Sequence, residues 1–98
     1  MLVKNYSKTG KRCRVTFKLH HAVEANKVRL CGDFNQWDKI GIPLRRLKDG
    51  GFSTTISLDT DREYRFRYWI DDERWENDWE ADGYVANEFG SDDSLLKL

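Results

Sequence analysis

The 98 residues are enough for one domain and leave no room for a second. Charged residues at 35% and a mean hydropathy of -0.80 would suit a disordered chain, but 13% aromatic residues supply the bulk for a small core. A formal net charge of +0 gives no general attraction to nucleic acid or acidic membranes, and no apolar run approaches the roughly 20 residues of a membrane span.

The opening "MLVKNYSKTGKR" lacks the apolar stretch of a secretion signal, so a cytoplasmic location is expected. Residues 1–10 are read as a mobile N-terminal extension and 11–98 as the folded domain. "CRVTFKL" alternates strictly, with Cys13, Val15, Phe17 and Leu19 on one face and Arg14, Thr16 and Lys18 on the other: a half-buried strand. After the connection "HHAVEAN", "KVRLCG" predicts a shorter strand through Val28 and Leu30. Cys31 falls on its opposite face, so Cys13 and Cys31 cannot meet without moving backbone, and two free thiols are expected. An aromatic loop "GDFNQWDKIG" leads to "PLRRL", and "KDGGF" is a hairpin signal. "FSTTISL" alternates again, placing Phe52, Thr54, Ile56 and Leu58 together.

The longest predicted strand is "EYRFRYWI", with Tyr64, Phe66, Tyr68 and Ile70 inward and Arg65, Arg67 and Trp69 outward. The acidic, turn-rich "DDERWENDWEADGYVANEFGSDD" follows, carrying Trp75, Trp79, Tyr84 and Phe89. "SLLKL" is the closing strand, with Leu96 and Leu98 inward. Residues 1–70 hold 15 of the 17 Lys and Arg, and residues 71–98 hold 10 of the 17 carboxylates, which sets a basic face against an acidic tail. Short strands with turn signals every 8–12 residues and no helical period predict an all-β, immunoglobulin-like antiparallel β-sandwich.

Catalysis has little to work with. A glycosidase needs two carboxylates about 5–10 Å apart with one desolvated, whereas Asp71, Asp72, Glu73, Asp92 and Asp93 sit in turns where water solvates them. His20 and His21 lack further ligands at metal spacing, and the acidic stretch lacks the spacing of a Ca²⁺ loop. No Gly-rich phosphate loop or serine elbow is present. No catalytic residue, metal ligand or cofactor is therefore expected. The aromatics carry more. An indole beside a guanidinium suits a sugar: the C–H face of the ring lies on the indole and the Arg fork donates to paired hydroxyls. Trp69 on the outer face with Arg65 and Arg67, followed through a turn by Trp75, has that composition. Each Trp taken singly reads equally as core.

"VRLCGDFNQWDKIGIPLRRLKDGGFSTTISL" followed by "YRFRYWIDDERWENDWEADGYVANEFGSDDSLLKL" resembles a family 48 carbohydrate-binding module. That group includes isoamylase N-terminal-like domains and the glycogen-binding domain of the AMP-activated protein kinase β subunit. The likeness runs from about Arg12 to Leu98. It rests on Gly-Asp-Phe-Asn-x-Trp after a strand, Pro-Leu, a hairpin, an aromatic strand, an Asp turn, a Trp, and Asn-x-Phe-Gly. The resemblance implies an immunoglobulin-like sandwich that binds α-1,4-glucan (glycogen or starch-like) without catalysis. Trp37 and Trp75 would stack on sugar, Arg67 would bond hydroxyls, Phe89 would enter the bend of the glucan, and Ser91 and Asp93 would line the edge. Arg65, Trp69 and Trp79 are further candidates. The alternative it implies is docking on a separate family 13 glycoside hydrolase, a glycogen-metabolising enzyme, or a kinase-like partner. Three positions depart from the family pattern. Asp93 stands where Asn is common, Trp79 where Pro is common, and the Asp72-Glu73 turn has an added residue that would displace Trp75.

Overall fold

A computed structural model describes all residues, 1–98. Ten strands form two antiparallel sheets: β1 (Leu2–Tyr6), β2 (Arg12–Leu19), β3 (Val28–Gly32), β4 (Ile42–Pro43), β5 (Arg45–Arg46), β6 (Phe52–Asp59), β7 (Glu63–Ile70), β8 (Arg74–Glu76), β9 (Gly83–Ala86) and β10 (Asp92–Lys97). One sheet has the order β1-β2-β6-β5, the other β4-β3-β7-β10-β9, with β8 also paired to β7. A single 3-10 turn, Asp33–Asn35, follows β3. The architecture is the immunoglobulin-like sandwich that the alternation predicts, and no helix is long and apolar enough to cross a membrane.

The alternating faces meet between the sheets. Val15, Phe17, Leu30, Phe66, Tyr68, Ile70 and Leu96 are fully buried there, with Cys13, Leu19, Val28, Phe52, Leu58 and Tyr64 around them. Phe17 and Phe66 meet edge to face at 5.1 Å, a favoured geometry for two ring quadrupoles. Each such side chain contributes roughly 1.5–3 kcal/mol by leaving water. Phe34 of the 3-10 turn closes one end of this core, 5.8 Å from Phe17 and 6.1 Å from Tyr64.

The first ten residues are not an extension outside the sandwich. Leu2–Tyr6 pairs with β2 in the register Leu2↔Phe17 to Tyr6↔Cys13. Leu2 packs against the core, and the Lys4 ammonium reaches Asp82 at 2.7 Å. One half-buried apolar residue on an edge strand leaves almost no periodic signal, which is why the sequence pattern missed it. Cys13 and Cys31 are both free and buried. Cys31 lies outside the core, beneath the loop after β3, where its Sγ donates to the Asp38 carbonyl at 3.2 Å. Burial, with the Asp38 charge beside it, pushes this thiol up to about 11.

One buried charge anchors the acidic tail. Asp78 accepts hydrogen bonds from the Tyr68 hydroxyl (2.8 Å), the Glu80 amide (2.8 Å) and the Met1 ammonium (2.6 Å). Its own amide donates to Ser94 Oγ at 2.9 Å, and Ser94 donates to Asn77. A desolvated carboxylate is tolerated only with its acceptors filled. The network therefore pins the residues after β8 against β7 and β10.

Candidate functional site

The site grows from the second edge of β7. β3 runs along one side of that strand from Phe66 to Ile70. The other side is shared: β10 pairs with residues 63–66 and β8 with residues 68–70. Arg67 falls at the junction and projects from the outer face with Arg65 and Trp69, as the alternation requires.

Trp75 reaches this surface through the hairpin between β7 and β8. Asp71 and Asp72 both take left-handed conformations (φ 54° and 58°), the type I′ geometry that matches strand twist. The Asp71 carboxylate accepts the Asn26 and Lys27 amides at 2.8 Å each, bonds that hold it below the usual carboxylate range. Asp72 is lowered in turn by the Lys27 ammonium, 2.8 Å away. The added residue is absorbed in this turn, since the Glu73 amide donates to the Ile70 carbonyl and β8 starts at Arg74. Trp75 lands directly opposite Trp69, with ring centroids 4.5 Å apart.

Trp37 arrives from the other side. Asn35 Oδ1 accepts the Gly32 amide at 2.9 Å and the Trp37 amide donates to the Gly32 carbonyl at 3.0 Å, closing the loop tightly. Gln36 and Trp37 both have positive φ (56° and 57°). For a bulky residue such as Trp that conformation is an outlier. It turns the indole back so that Nε1 donates to Asp33 Oδ1 at 3.0 Å. The second oxygen of Asp33 accepts the Arg65 amide at 2.8 Å, tying the loop to β7. Trp37 and Trp75 lie 6.2 Å apart with their planes at 76°. They make a corner, not a flat shelf.

Two cations frame it. Lys39 Nζ sits 4.6 Å from the Trp69 ring and 6.0 Å from Trp75. The Arg67 guanidinium lies 5.6 Å from Trp75 and donates to Ser91 Oγ at 3.4 Å. Its Nε is buried without a partner. An orphaned donor costs about 1–3 kcal/mol, so Arg67 is a poor choice for stability alone.

Asn87 organises the remaining wall. Its Oδ1 accepts the Phe89 and Ser91 amides (2.9 and 3.2 Å), and its Nδ2 donates to Ser91 Oγ (3.0 Å) and Asp93 Oδ1 (3.1 Å). This holds Phe89 at the tip of the turn, 85% exposed. Asp93 is buried, with its other oxygen 4.0 Å from Arg65. Together Asp33, Trp37, Arg65, Arg67, Trp75, Asn87, Glu88, Phe89 and Asp93 line one open cleft.

Of the residues expected from the sequence, Trp37, Arg65, Arg67, Trp75, Phe89 and Asp93 thus come together. Ser91 stands behind Arg67 and Trp69 lies under Trp75. Trp79 does not extend the platform: it stacks on His20 and lines a different cleft. Asp33, Lys39 and Asn87 were not anticipated. The Asp of "GDFNQW" and the Asn of "NEFG" stand in the motifs that carry the family resemblance, but nothing in the sequence gives either a role.

A β-sandwich with a surface cleft lined by indoles, guanidinium groups and carboxylates has the build of a sugar-binding module. The family model for carbohydrate-binding module 48 (isoamylase N-terminal domain) matches residues 4–85, and the chain belongs to that family. The family is one of carbohydrate-binding modules, not catalysts. The match includes Trp37, Arg67 and Trp75 and stops before Phe89, Ser91 and Asp93. The comparison with curated proteins gives no match.

Proposed function

We propose that this domain binds α-1,4-glucan, glycogen or a starch-like polymer, without catalysis, in the cleft between Trp37 and Trp75. The carrying observation is the 76° angle between the two indoles. Successive rings of an α-1,4 chain turn relative to one another, so a corner of two indoles follows their faces. A β-1,4 chain is a flat ribbon and asks for coplanar rings. Arg67 lies between the platform and Ser91, where its fork donates to vicinal hydroxyls. Phe89 is the apolar wedge on the far wall, and the second oxygen of Asp93 and the carboxylate of Glu88 supply acceptors.

Stacking worth roughly 0.5–1.5 kcal/mol per ring, by analogy with aromatic pairs, makes each contact weak. Useful retention then comes from repeated engagement along a polymer. The rival reading is docking on a separate family 13 glycoside hydrolase or kinase-like partner. It gives no work to an indole corner held open by Asp33 and a partnerless Arg67 Nε. Two buried free thiols fit the reducing cytoplasm we assign to it.

Electrophoresis through gels containing glycogen, amylose or a soluble cellulose derivative tests the proposal. Wild type is expected to be retarded by the α-glucans only, and Trp37→Ala and Trp75→Ala to lose most of that retardation. Equal mobility of all three proteins in every gel would remove the reading.

A further inference from the structure

Trp79 is over half exposed (53%) yet is fixed on two sides. Its Nε1 donates to Glu76 Oε1 at 2.9 Å. The His20 imidazole stacks on it at 5.1 Å and 26°, and His21 stacks on His20 at 4.2 Å and 27°. The three rings form a near-parallel column at the end of β2, beside a cleft that shares no lining residue with the Trp37–Trp75 corner. An indole that only filled space would be covered; this one is oriented by Glu76 and His20 and keeps over half of its surface in solvent.

The groups around it indicate which partner. Lys18, Asp49 and Glu80 line the same cleft, and none of them is ion-paired. One oxygen of Asp49 accepts the Gly51 amide, leaving the other free. His20 Nδ1 accepts the Ala22 amide at 3.0 Å, so in the neutral ring Nε2 carries the proton and donates. The Met1 ammonium and the Asp78 carboxylate, which also line the cleft, neutralise each other at 2.6 Å, so Lys18, His20, Asp49 and Glu80 leave two donors and two carboxylate acceptors beside one flat apolar face. Two carboxylates disfavour an anionic ligand, and the ammonium disfavours a cationic one. A neutral polyhydroxylated ring uses both kinds of group at once, with its C–H face on the indole.

We propose that Trp79, with His20, Lys18, Asp49 and Glu80, is a second saccharide subsite, making the domain bivalent for glucan. The choice of an α-glucan as its ligand rests on the reading of the Trp37–Trp75 cleft; the stacked column does not depend on it. Two separated weak sites on one small body raise retention on a polymer that can reach both, and allow one domain to bridge two strands.

The test is a titration of the ¹⁵N-labelled domain with maltoheptaose, following the indole N–H resonances, four in wild type and three in Trp37→Ala, with Trp79→Ala for assignment. The Trp79 resonance is expected to shift saturably in wild type and to shift equally in Trp37→Ala. Movement of Trp37 and Trp75 with Trp79 still would overturn the second subsite and leave the first. Movement of Trp79 alone would support the second and remove the first, and no movement at all would remove both. A Trp79 shift that disappears in Trp37→Ala would be a relayed effect of the first cleft and would also overturn the proposal.

Discussion

Asp33 is the residue on which the shape of the platform turns. One carboxylate oxygen takes the Trp37 indole N–H and the other takes the Arg65 amide. Asn at this position has a single acceptor oxygen, so Asp33→Asn keeps one of the two bonds and sets an amide N–H₂ against the remaining donor. Asp33→Ala loses both. Asp33 is exposed, so water replaces the lost bonds and stability falls by at most about 1 kcal/mol. Binding pays differently. A freed Trp37 side chain must be immobilised by the ligand, at roughly 0.5–1.5 kcal/mol, which is about a 2- to 12-fold loss of affinity. Calorimetry with maltoheptaose, paired with urea denaturation, separates the two quantities. The expected result is weaker binding in both variants, more so in Asp33→Ala, with near wild-type unfolding midpoints. Wild-type affinity in Asp33→Ala would refute the idea that this carboxylate orients the indole.

Three further outcomes are expected. Arg67→Met should abolish glucan binding at the Trp37–Trp75 cleft while leaving stability unchanged or raising it by about 1 kcal/mol, because the orphaned Nε is removed; a large loss of urea midpoint would show that Arg67 is structural. Gly32→Ala should cost about 1–3 kcal/mol of stability by overpacking, since its Cβ would lie 2.5 Å from the Arg65 carbonyl and 3.0 Å from Phe66 Cβ; an unaltered midpoint would contradict the close approach. Burial, with the Asp78 carboxylate beside it, holds the Tyr68 phenol well above its ordinary 10.0. The folded state therefore keeps this proton longer than the unfolded chain, so the associated stability is complete below pH about 10 and is lost as pH rises beyond it. Urea midpoints measured across that range should fall more steeply in wild type than in Tyr68→Phe, and parallel curves would count against the linkage.

The sequence shows the long strands because burial on one face forces a period of two. Cys13, Val15, Phe17 and Leu19 on β2 and Tyr64, Phe66, Tyr68 and Ile70 on β7 are all buried as their alternation requires. The same rule places Arg67 on the outer surface. It fails where strands have little to bury. β1, β8 and β9 have at most half-buried residues, so alternation is faint and polar composition reads as loop. Nor could periodicity separate Trp75 from Trp79, both set among acidic residues. What separates them is pairing: Trp75 lies across from Trp69 on β7, whereas Trp79 follows the buried Asp78 and turns toward His20. Asp33 and Asn87 were hidden for another reason. A side chain that bonds its own loop has the same residue type as one that only solvates it.

The proposed mode of binding puts consecutive rings of an α-1,4-glucan on a corner of two tryptophans with Arg67 beside it. A crystal structure of the domain grown with maltoheptaose tests it most directly. One glucose ring is expected on Trp37, another on Trp75, and the Arg67 fork bonded to hydroxyls of the same chain. Sugar bound to any other surface, with this cleft open to solvent, would contradict it.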